Sequence, residues 1–290
     1  MAIGFAQALE QRVRAGFAPA IIGLDPRLDA LPAELGGVDD PVERICAFYR
    51  ESLPRLAPHV GVVKPNIAFF EQFGWSGFRA YESTCALAQE LGMLVVGDIK
   101  RGDIGTTAAA YAAFHLRVAD AVTLHPYLGS DSLEPFLSLS RTAGKGLFVL
   151  VRTSNPSAAE FQDLQVGEAD LSTAVARAVD RWGEDTGDPD GYAQVGAVVG
   201  ATWPGQIEHL RRCMPRAWLL LPGVGAQGAT VSDVAAAFDP RGRGALVAQS
   251  RGVMQAFAPG DPDWRDRIAA AAAAFAAEVH TVAGTGQGER

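Results

Sequence analysis

The sequence has few cysteines and no long apolar segment. Its three cysteines (Cys46, Cys85 and Cys213) are dispersed and form no Cys-x-x-Cys pair, which fits a reducing compartment and gives no thiolate metal site. No run approaches the roughly 18 to 20 apolar residues of a membrane span. The first residues carry acid and arginine in a helical pattern, unlike a signal peptide. These absences predict a cytoplasmic protein that does not enter a membrane.

Positive charge is also scarce. The chain has 25 lysines and arginines against 33 acidic residues, a formal net charge of -8. This balance argues against nucleic acid or an anionic membrane as the main partner. A small anionic ligand would need a local cluster of donors. The length of 290 residues suits one (β/α) barrel of roughly 250 residues.

Eight short apolar runs alternate with segments of helical periodicity. They read as strands buried on both faces, as in a parallel sheet: 20–25, 60–64, 94–98, 121–125, 146–152, 195–200, 217–222 and 245–250. The clearest helix start has Asp40 as its cap and Pro41 in its first turn. We therefore predict a single (β/α)8 TIM barrel over residues 1–290, with a flexible tail at 281–290. An open doubly wound sheet is the alternative.

Polar residues follow these strands at the ends that form the active face of a barrel. The residues concerned are Asp25, Lys64, Asp98, Lys100, His125, Arg152, Ser154, Asn155, Thr202, Gln227, Ser250 and Arg251. The longest segment without a pattern, 153–168, follows the fifth strand, where functional loops of a barrel belong. His125 is as compatible with a structural role as with a catalytic one.

Asp98 and Lys100 are two residues apart, so on an extended strand both side chains would point into the mouth of the barrel. Asp103 lies beyond the strand end. Nearby carboxylates keep a lysine charged, which argues against a Schiff-base aldolase. A lysine that neutralises an anion and then donates a proton fits better. Asp98 and Asp103 could alternatively hold Mg²⁺, but no histidine or cysteine motif indicates zinc.

Glycines follow the seventh strand in "PGVGAQGA", a formal G-x-G-x-x-G. A dinucleotide site would need an acid closing the next strand, and this chain has "AQSRG" there. Glycines after strand seven and Arg251 after strand eight instead fit the phosphate pocket common in barrels.

Together these motifs resemble the orotidine 5′-phosphate decarboxylase family, in particular its longer bacterial subgroup. The similarity runs from "GLD" at 23–25 to "SRGVM" at 250–254. It includes the family's D-x-K-x-x-D-I-x-x-T, and the other elements, "KPN", "RTSNP", "PGVGAQG" and "SRG", follow in the expected order.

The resemblance implies cofactor-free and metal-free decarboxylation of orotidine 5′-phosphate to UMP, the final step of de novo pyrimidine synthesis. It also implies a homodimer with shared active sites. The implied roles are ribose binding by Asp25 and Lys64, contact of Asp98 with the substrate carboxylate, carbanion stabilisation and protonation by Lys100, base binding by Ser154, phosphate binding by Gln227 and Arg251, and contribution of Asp103 and Thr107 to the partner's site.

The chain departs from the family pattern at two places. Gly105 stands where the commoner pattern has proline, and the loop at 153–168 leaves open whether Ser154 or Asn155 faces the base. Two other functions remain alternatives. A Mg²⁺-dependent sugar-phosphate decarboxylase of the same superfamily would place an acid near Lys64, and a non-catalytic phosphate-binding barrel would not require the Asp–Lys–Asp array.

Overall fold

A closed barrel of eight parallel strands forms the centre of the protein in the computed structural model. The structure describes residues 3–188, 191–225 and 228–285, and the side chains of 3–188, 191–225 and 228–284. Around the barrel, neighbouring strands are also consecutive in the chain, apart from a separate two-stranded pair, and the last strand pairs with the first. This closure confirms the predicted (β/α)8 fold and excludes the open sheet.

The strands follow the predicted apolar runs with small differences at their ends. Those of the barrel are β1 (Ala20–Leu24), β2 (Val62–Pro65), β3 (Leu94–Arg101), β4 (Ala121–Leu124), β5 (Gly146–Arg152), β8 (Val195–Val199), β9 (Leu219–Leu221) and β10 (Ala245–Gln249). A separate antiparallel pair contains β6 (Gln165–Val166) and β7 (Ala169–Asp170).

Helices surround the barrel. They are α1 (Phe5–Arg14), α2 (Pro41–Leu56), α3 (Ala68–Glu71), α4 (Gly74–Glu90), α5 (Gly105–Val118), α6 (Ser130–Ala143), α7 (Ala159–Gln162), α8 (Leu171–Gly183), α9 (Pro204–Cys213), α10 (Arg251–Met254) and α11 (Trp264–Thr285). Short 3-10 helices cover Leu28–Ala30, Ala33–Gly37, Pro156–Ala158 and Ser232–Ala237. Among the helices of the described residues, none combines the length and apolar character that crossing a membrane requires.

The predicted start of α2 is confirmed. The side chain of Asp40 accepts a hydrogen bond of 2.8 Å from the N–H of Val42, and Pro41 occupies the first helical position. Two other predictions need correction. Residues 153–168, which showed no pattern, contain a 3-10 helix, α7 and one strand of the antiparallel pair. Residues 281–285 belong to α11 rather than to a tail, and 286–290 lie outside the described residues.

Apolar side chains form two packed clusters, one inside the barrel and one between the strands and the helices. Alternate strand residues such as Ile21, Val96 and Phe148 belong to the inner cluster. Phe5 of α1 packs against Phe148 with ring centroids 5.9 Å apart. Helix α1 therefore covers one end of the barrel, and the polar strand ends lie at the other end.

The close packing of α4 against the preceding turn depends on Gly77. A Cβ atom at this position would lie 1.8 Å from the carbonyl oxygen of Phe70, so any side chain must displace backbone. We predict that Gly77→Ala lowers the free energy of unfolding by about 1–3 kcal/mol, measured by thermal or urea denaturation.

The matched control is Gly205→Ala in α9, where a Cβ atom would meet no other atom within 4 Å. Alanine is the better helix former, so this variant should be as stable as the parent or more so. Equal behaviour of the two variants would show that the packing around Gly77 is not limiting.

Candidate active site

The carboxylate of Asp98 lies at the centre of a charged cluster at the polar end of the barrel. Its Oδ2 accepts a hydrogen bond of 2.6 Å from Nζ of Lys64, and its Oδ1 forms an ion pair with Nζ of Lys100. The side chain of Asp98 is 7% exposed and that of Lys64 is 11% exposed, whereas that of Lys100 is 49% exposed. One buried acid thus holds a buried ammonium group and an accessible one.

Strand periodicity explains why these side chains meet. Ile21, Val62 and Val96 belong to the inner apolar cluster, and residues two positions further along a strand point the same way. The inward-facing residues of these strands therefore continue with Gly23 and Asp25 in the first strand, Lys64 in the second and Asp98 in the third. The polar mouth is the upper layer of the barrel interior.

Charge interactions set the protonation states of the buried members. Burial alone would raise the pKa of Asp98, but Lys64 and Lys100 more than offset this effect and hold the pKa well below its ordinary value. Burial alone would lower the pKa of Lys64, yet the nearby carboxylates of Asp98 and Asp25 raise it above its ordinary value. Both groups are therefore charged at neutral pH.

Lys100 does not continue the strand in the regular way that the sequence predicted. Its φ is +45°, and it is the one non-glycine residue with positive φ in the part of the chain that the structure describes. The pairing of β3 with β4 also shifts register between Gly97 and Arg101. The ammonium group still meets Asp98, but through a bulged backbone rather than through simple alternation.

A cavity of about 180 Å³ adjoins this cluster and reaches from β1 and β2 to the ends of β9 and β10. Asp25 and Lys64 line one side, and Gly223, Ser250 and Arg251 line the other. Oδ1 of Asp25 is buried without a hydrogen-bond partner among the described residues. Because buried polar atoms are normally paired, this oxygen indicates a place for a ligand donor.

The glycine segment after β9 forms a tight turn beside the cavity. Gly223, Gly225 and Gly228 have φ values of +114°, +78° and +92°, which side chains rarely adopt. The N–H of Gly225 donates to the carbonyl of Ala229, and the N–H of Gly228 donates to that of Gly225. These two N–H groups are already hydrogen-bonded within the turn. The side chain of Arg251 and the backbone at the beginning of α10 are therefore the better hydrogen-bond donors for an anion. Gln227 lies outside the described residues.

Arg152 does not join the mouth, although it ends β5. Its side chain is 1% exposed, and it donates to Oε1 of Gln206 and to Oδ2 of Asp163 at 3.0 and 3.2 Å. It also lies over the ring of Trp203, 5.1 Å from the centroid. Arg152 therefore anchors the loop after β5 instead of binding a ligand.

Within that loop, the side-chain oxygen of Asn155 is occupied. Its Oδ1 accepts a hydrogen bond of 2.7 Å from the hydroxyl of Thr153. The backbone of Ser154 packs against Gly200, where a Cβ atom would lie 2.8 Å from the Cα of Ser154. Ser154 is half-buried and Asn155 is exposed. The hydroxyl of Ser154 forms no hydrogen bond with the described residues and is therefore available for a ligand.

Asp103 lies between β3 and α5, and Thr107 lies in the first turn of α5. Oδ1 of Asp103 accepts a hydrogen bond of 2.8 Å from the N–H of Ile104, and Thr107 is exposed on α5. The neighbouring Ile104 is 56% exposed. Among the described residues, no hydrogen bond or ion pair joins Asp103 or Thr107 to Asp98 or Lys100.

Thr123 of β4 is a site residue that the sequence did not reveal. It is 1% exposed, and its hydroxyl donates to Oδ1 of Asp98 at 3.0 Å. The only available signal was a hydroxyl residue inside the apolar run "AVTL", in the same row as the inward-facing Ala121. His125, two residues further on, packs its ring against Gly102, where a Cβ atom would lie 2.3 Å away.

The barrel, with its charges at the carboxyl ends of the strands, falls into the class of (β/α)8-barrel enzymes, whose active sites lie at that face. Comparison with known proteins narrows this class. The chain belongs to the orotidine 5′-phosphate decarboxylase / HUMPS family, whose model matches residues 22–260.

Curated relatives and a solved structure agree with this assignment. The orotidine 5′-phosphate decarboxylase of Deinococcus radiodurans is 46% identical over 256 residues, which cover 87% of this chain and 89% of the relative. That of Rhodopirellula baltica is 41% identical and covers 86% of this chain and 90% of the relative. The structure of Leishmania donovani OMP decarboxylase matches with a TM-score of 0.79 at 33% identity, covering 97% of this chain and 99% of that one.

Proposed function

We propose that this protein decarboxylates orotidine 5′-phosphate to UMP, the final step of de novo pyrimidine nucleotide synthesis. The observation that carries the proposal is the carboxylate of Asp98 bound by both Lys64 and Lys100. This cluster lies beside a cavity lined by Arg251, in a chain of the decarboxylase family.

Lys100 is the proton donor in this proposal. The bond between C6 of the pyrimidine and its carboxylate breaks, CO₂ leaves, and the electron pair stays on C6. The ammonium group of Lys100 stabilises that carbanion and then donates a proton to C6, which gives UMP. Because an sp² carbanion is very costly in water, most of the rate enhancement must come from charge positioned before the reaction. The ion pair with Asp98 provides that positioning.

The remaining side chains bind the ribose, the phosphate and the pyrimidine ring of the substrate. Asp25 and Lys64 bind the ribose hydroxyls, for which the unpartnered Oδ1 of Asp25 is available. Arg251 lines the cavity and binds the phosphate together with Gln227. Ser154 binds the pyrimidine ring. Binding energy from the phosphate can then drive orientation at the reacting carbon.

The cluster is better suited to metal-free chemistry than to Mg²⁺. Nζ of Lys64 lies 2.6 Å from Oδ2 of Asp98, so an ammonium group already occupies the position beside the carboxylate. The described residues also contain no group of three or more histidine, cysteine, aspartate or glutamate side chains that could hold a metal ion. A Mg²⁺-dependent sugar-phosphate decarboxylase is therefore disfavoured.

We further propose that the enzyme is a cytoplasmic homodimer with shared active sites. Asp103 and Thr107 form no hydrogen bond or ion pair with the charged cluster of their own chain among the described residues, and the adjacent Ile104 exposes apolar surface. In a dimer these residues complete the partner's site and Ile104 becomes buried. The three free thiols fit a reducing cytoplasm.

The decisive test is the loss of absorbance of orotidine 5′-phosphate incubated with purified protein after exhaustive EDTA treatment. We expect full activity, because no step requires a metal. The Lys100→Ala substitution should abolish turnover, whereas binding of UMP, measured by calorimetry, should persist. Absence of turnover in the parent would favour a non-catalytic phosphate-binding barrel, and restoration by Mg²⁺ would favour the metal-dependent alternative.

Arg251→Ala should reduce kcat/KM for orotidine 5′-phosphate because charge-assisted hydrogen bonds to phosphate are lost, at about 1.5–3 kcal/mol. Turnover of orotidine, which lacks the phosphate, should hardly change. Arg212→Ala is the matched control, since Arg212 is exposed and, among the described residues, forms an ion pair with Glu208 of its own helix alone. An equal loss on both substrates would mean that Arg251 is structural.

Mixing two inactive variants tests the shared site. After dissociation and reassociation, Lys100→Ala and Asp103→Ala subunits should form heterodimers with one intact site and one doubly damaged site. Random pairing makes about half of the dimers heterodimers, so roughly a quarter of all sites should recover. Baseline activity in a mixture whose heterodimers are confirmed by mass spectrometry would place Asp103 in the site of its own chain.

A further inference from the structure

The register shift between β3 and β4 leaves three residues of one strand opposite a single residue of the other. Gly97 pairs with Val122, and the next pair joins Arg101 to Leu124. Asp98, Ile99 and Lys100 therefore all face Thr123. A bulge of this kind removes the regular ladder partners of the extra residues.

The hydroxyl of Thr123 replaces those missing partners. It accepts hydrogen bonds of 3.0 Å from the backbone N–H groups of both Ile99 and Lys100. It donates its proton to Oδ1 of Asp98, also at 3.0 Å. A hydroxyl has one donor and two acceptor positions, so every position is used and its proton can point only toward Asp98.

We propose that Thr123 is a positioning residue for the decarboxylation: its hydroxyl fixes the Asp98 carboxylate and the left-handed backbone of Lys100 in one arrangement. This inference rests on the proposed function. Lys100 has φ of +45° and a half-exposed side chain, so packing alone does not hold it. A strained backbone persists only where its surroundings fix it, and Thr123 bonds to both ends of the bulge.

Two substitutions distinguish a positioning role from a purely structural role of Thr123, because they separate the effect of its hydroxyl from the effect of its side-chain shape. Valine has nearly the same shape but would leave two N–H groups and one carboxylate position unpaired. Serine keeps the hydroxyl and loses the methyl group. The pair Thr123→Val and Thr123→Ser therefore isolates the hydrogen bonds.

Thr84 supplies a matched control. It is 3% exposed in α4, and its Oγ1 is buried without a hydrogen-bond partner among the described residues. Thr84→Val thus makes the same chemical change at another buried position and leaves no new group unpaired. Turnover and thermal stability should equal or exceed those of the parent.

The experiment measures kcat and KM for orotidine 5′-phosphate, UMP affinity by calorimetry, and thermal stability. Thr123→Val should lower kcat about 10- to 100-fold, the equivalent of losing one hydrogen bond to a charged group. KM and UMP affinity should stay near parental values, and Thr123→Ser should recover most of kcat.

Several results would overturn the proposal. These are an unchanged kcat in Thr123→Val, an equal loss in Thr123→Ser, or a loss explained entirely by a smaller folded fraction. If Thr123→Val does not fold, Thr123→Cys gives the same comparison, since a thiol is a weak donor and acceptor.

Failure of the proposed function can be told apart from failure of the positioning role, because the parent protein itself would then not decarboxylate orotidine 5′-phosphate. In that case a crystal structure of Thr123→Val decides the positioning role. Movement of Lys100 away from Asp98 would support it, and an unchanged backbone would overturn it.

Discussion

The charged mouth of this barrel depends on one carboxylate shared by two ammonium groups. Lys64 is buried, and a buried cation without a counter-charge is strongly unfavourable. Asp98 compensates Lys64 on one oxygen and holds Lys100 on the other. The two ammonium groups would otherwise repel each other, so the arrangement of Lys64 and Lys100 follows from the presence of Asp98.

The residues that stabilise the barrel and the residues of the candidate site lie at different levels along the barrel axis. Its inner rows begin with apolar residues such as Ile21, Val62 and Val96 and end, two or four positions later, with charged ones. The apolar layers and α1 supply the packed core, and the last layer supplies the site. Asp25, Lys64 and Asp98 are therefore positioned by the strands of the barrel.

The sequence was sufficient to predict features that arise within one segment. The apolar runs gave the eight strands, and Asp40 with Pro41 gave the start of α2, because each of these depends on neighbours in the chain. Convergence of Asp98 and Lys64 also followed, since the carboxyl ends of all barrel strands meet at one face.

Features that depend on pairing between segments could not be predicted. The register shift opposite Thr123 is a property of two strands together, so neither strand reveals it alone. Arg152 shows the same limit: it ends a strand like the other polar residues, but its partners Gln206 and Asp163 come from a helix and a loop and bury it away from the mouth.

The left-handed backbone at Lys100 means that the residue best for conformational stability at this position differs from the residue that the proposed reaction needs. Glycine adopts such a conformation without steric cost, whereas other residues lose roughly 1–2 kcal/mol. Glycine at this position would relieve that strain, but it would also remove the ammonium group that pairs with Asp98. Lysine at this position therefore keeps its ion pair with Asp98 at a conformational cost that glycine would not carry.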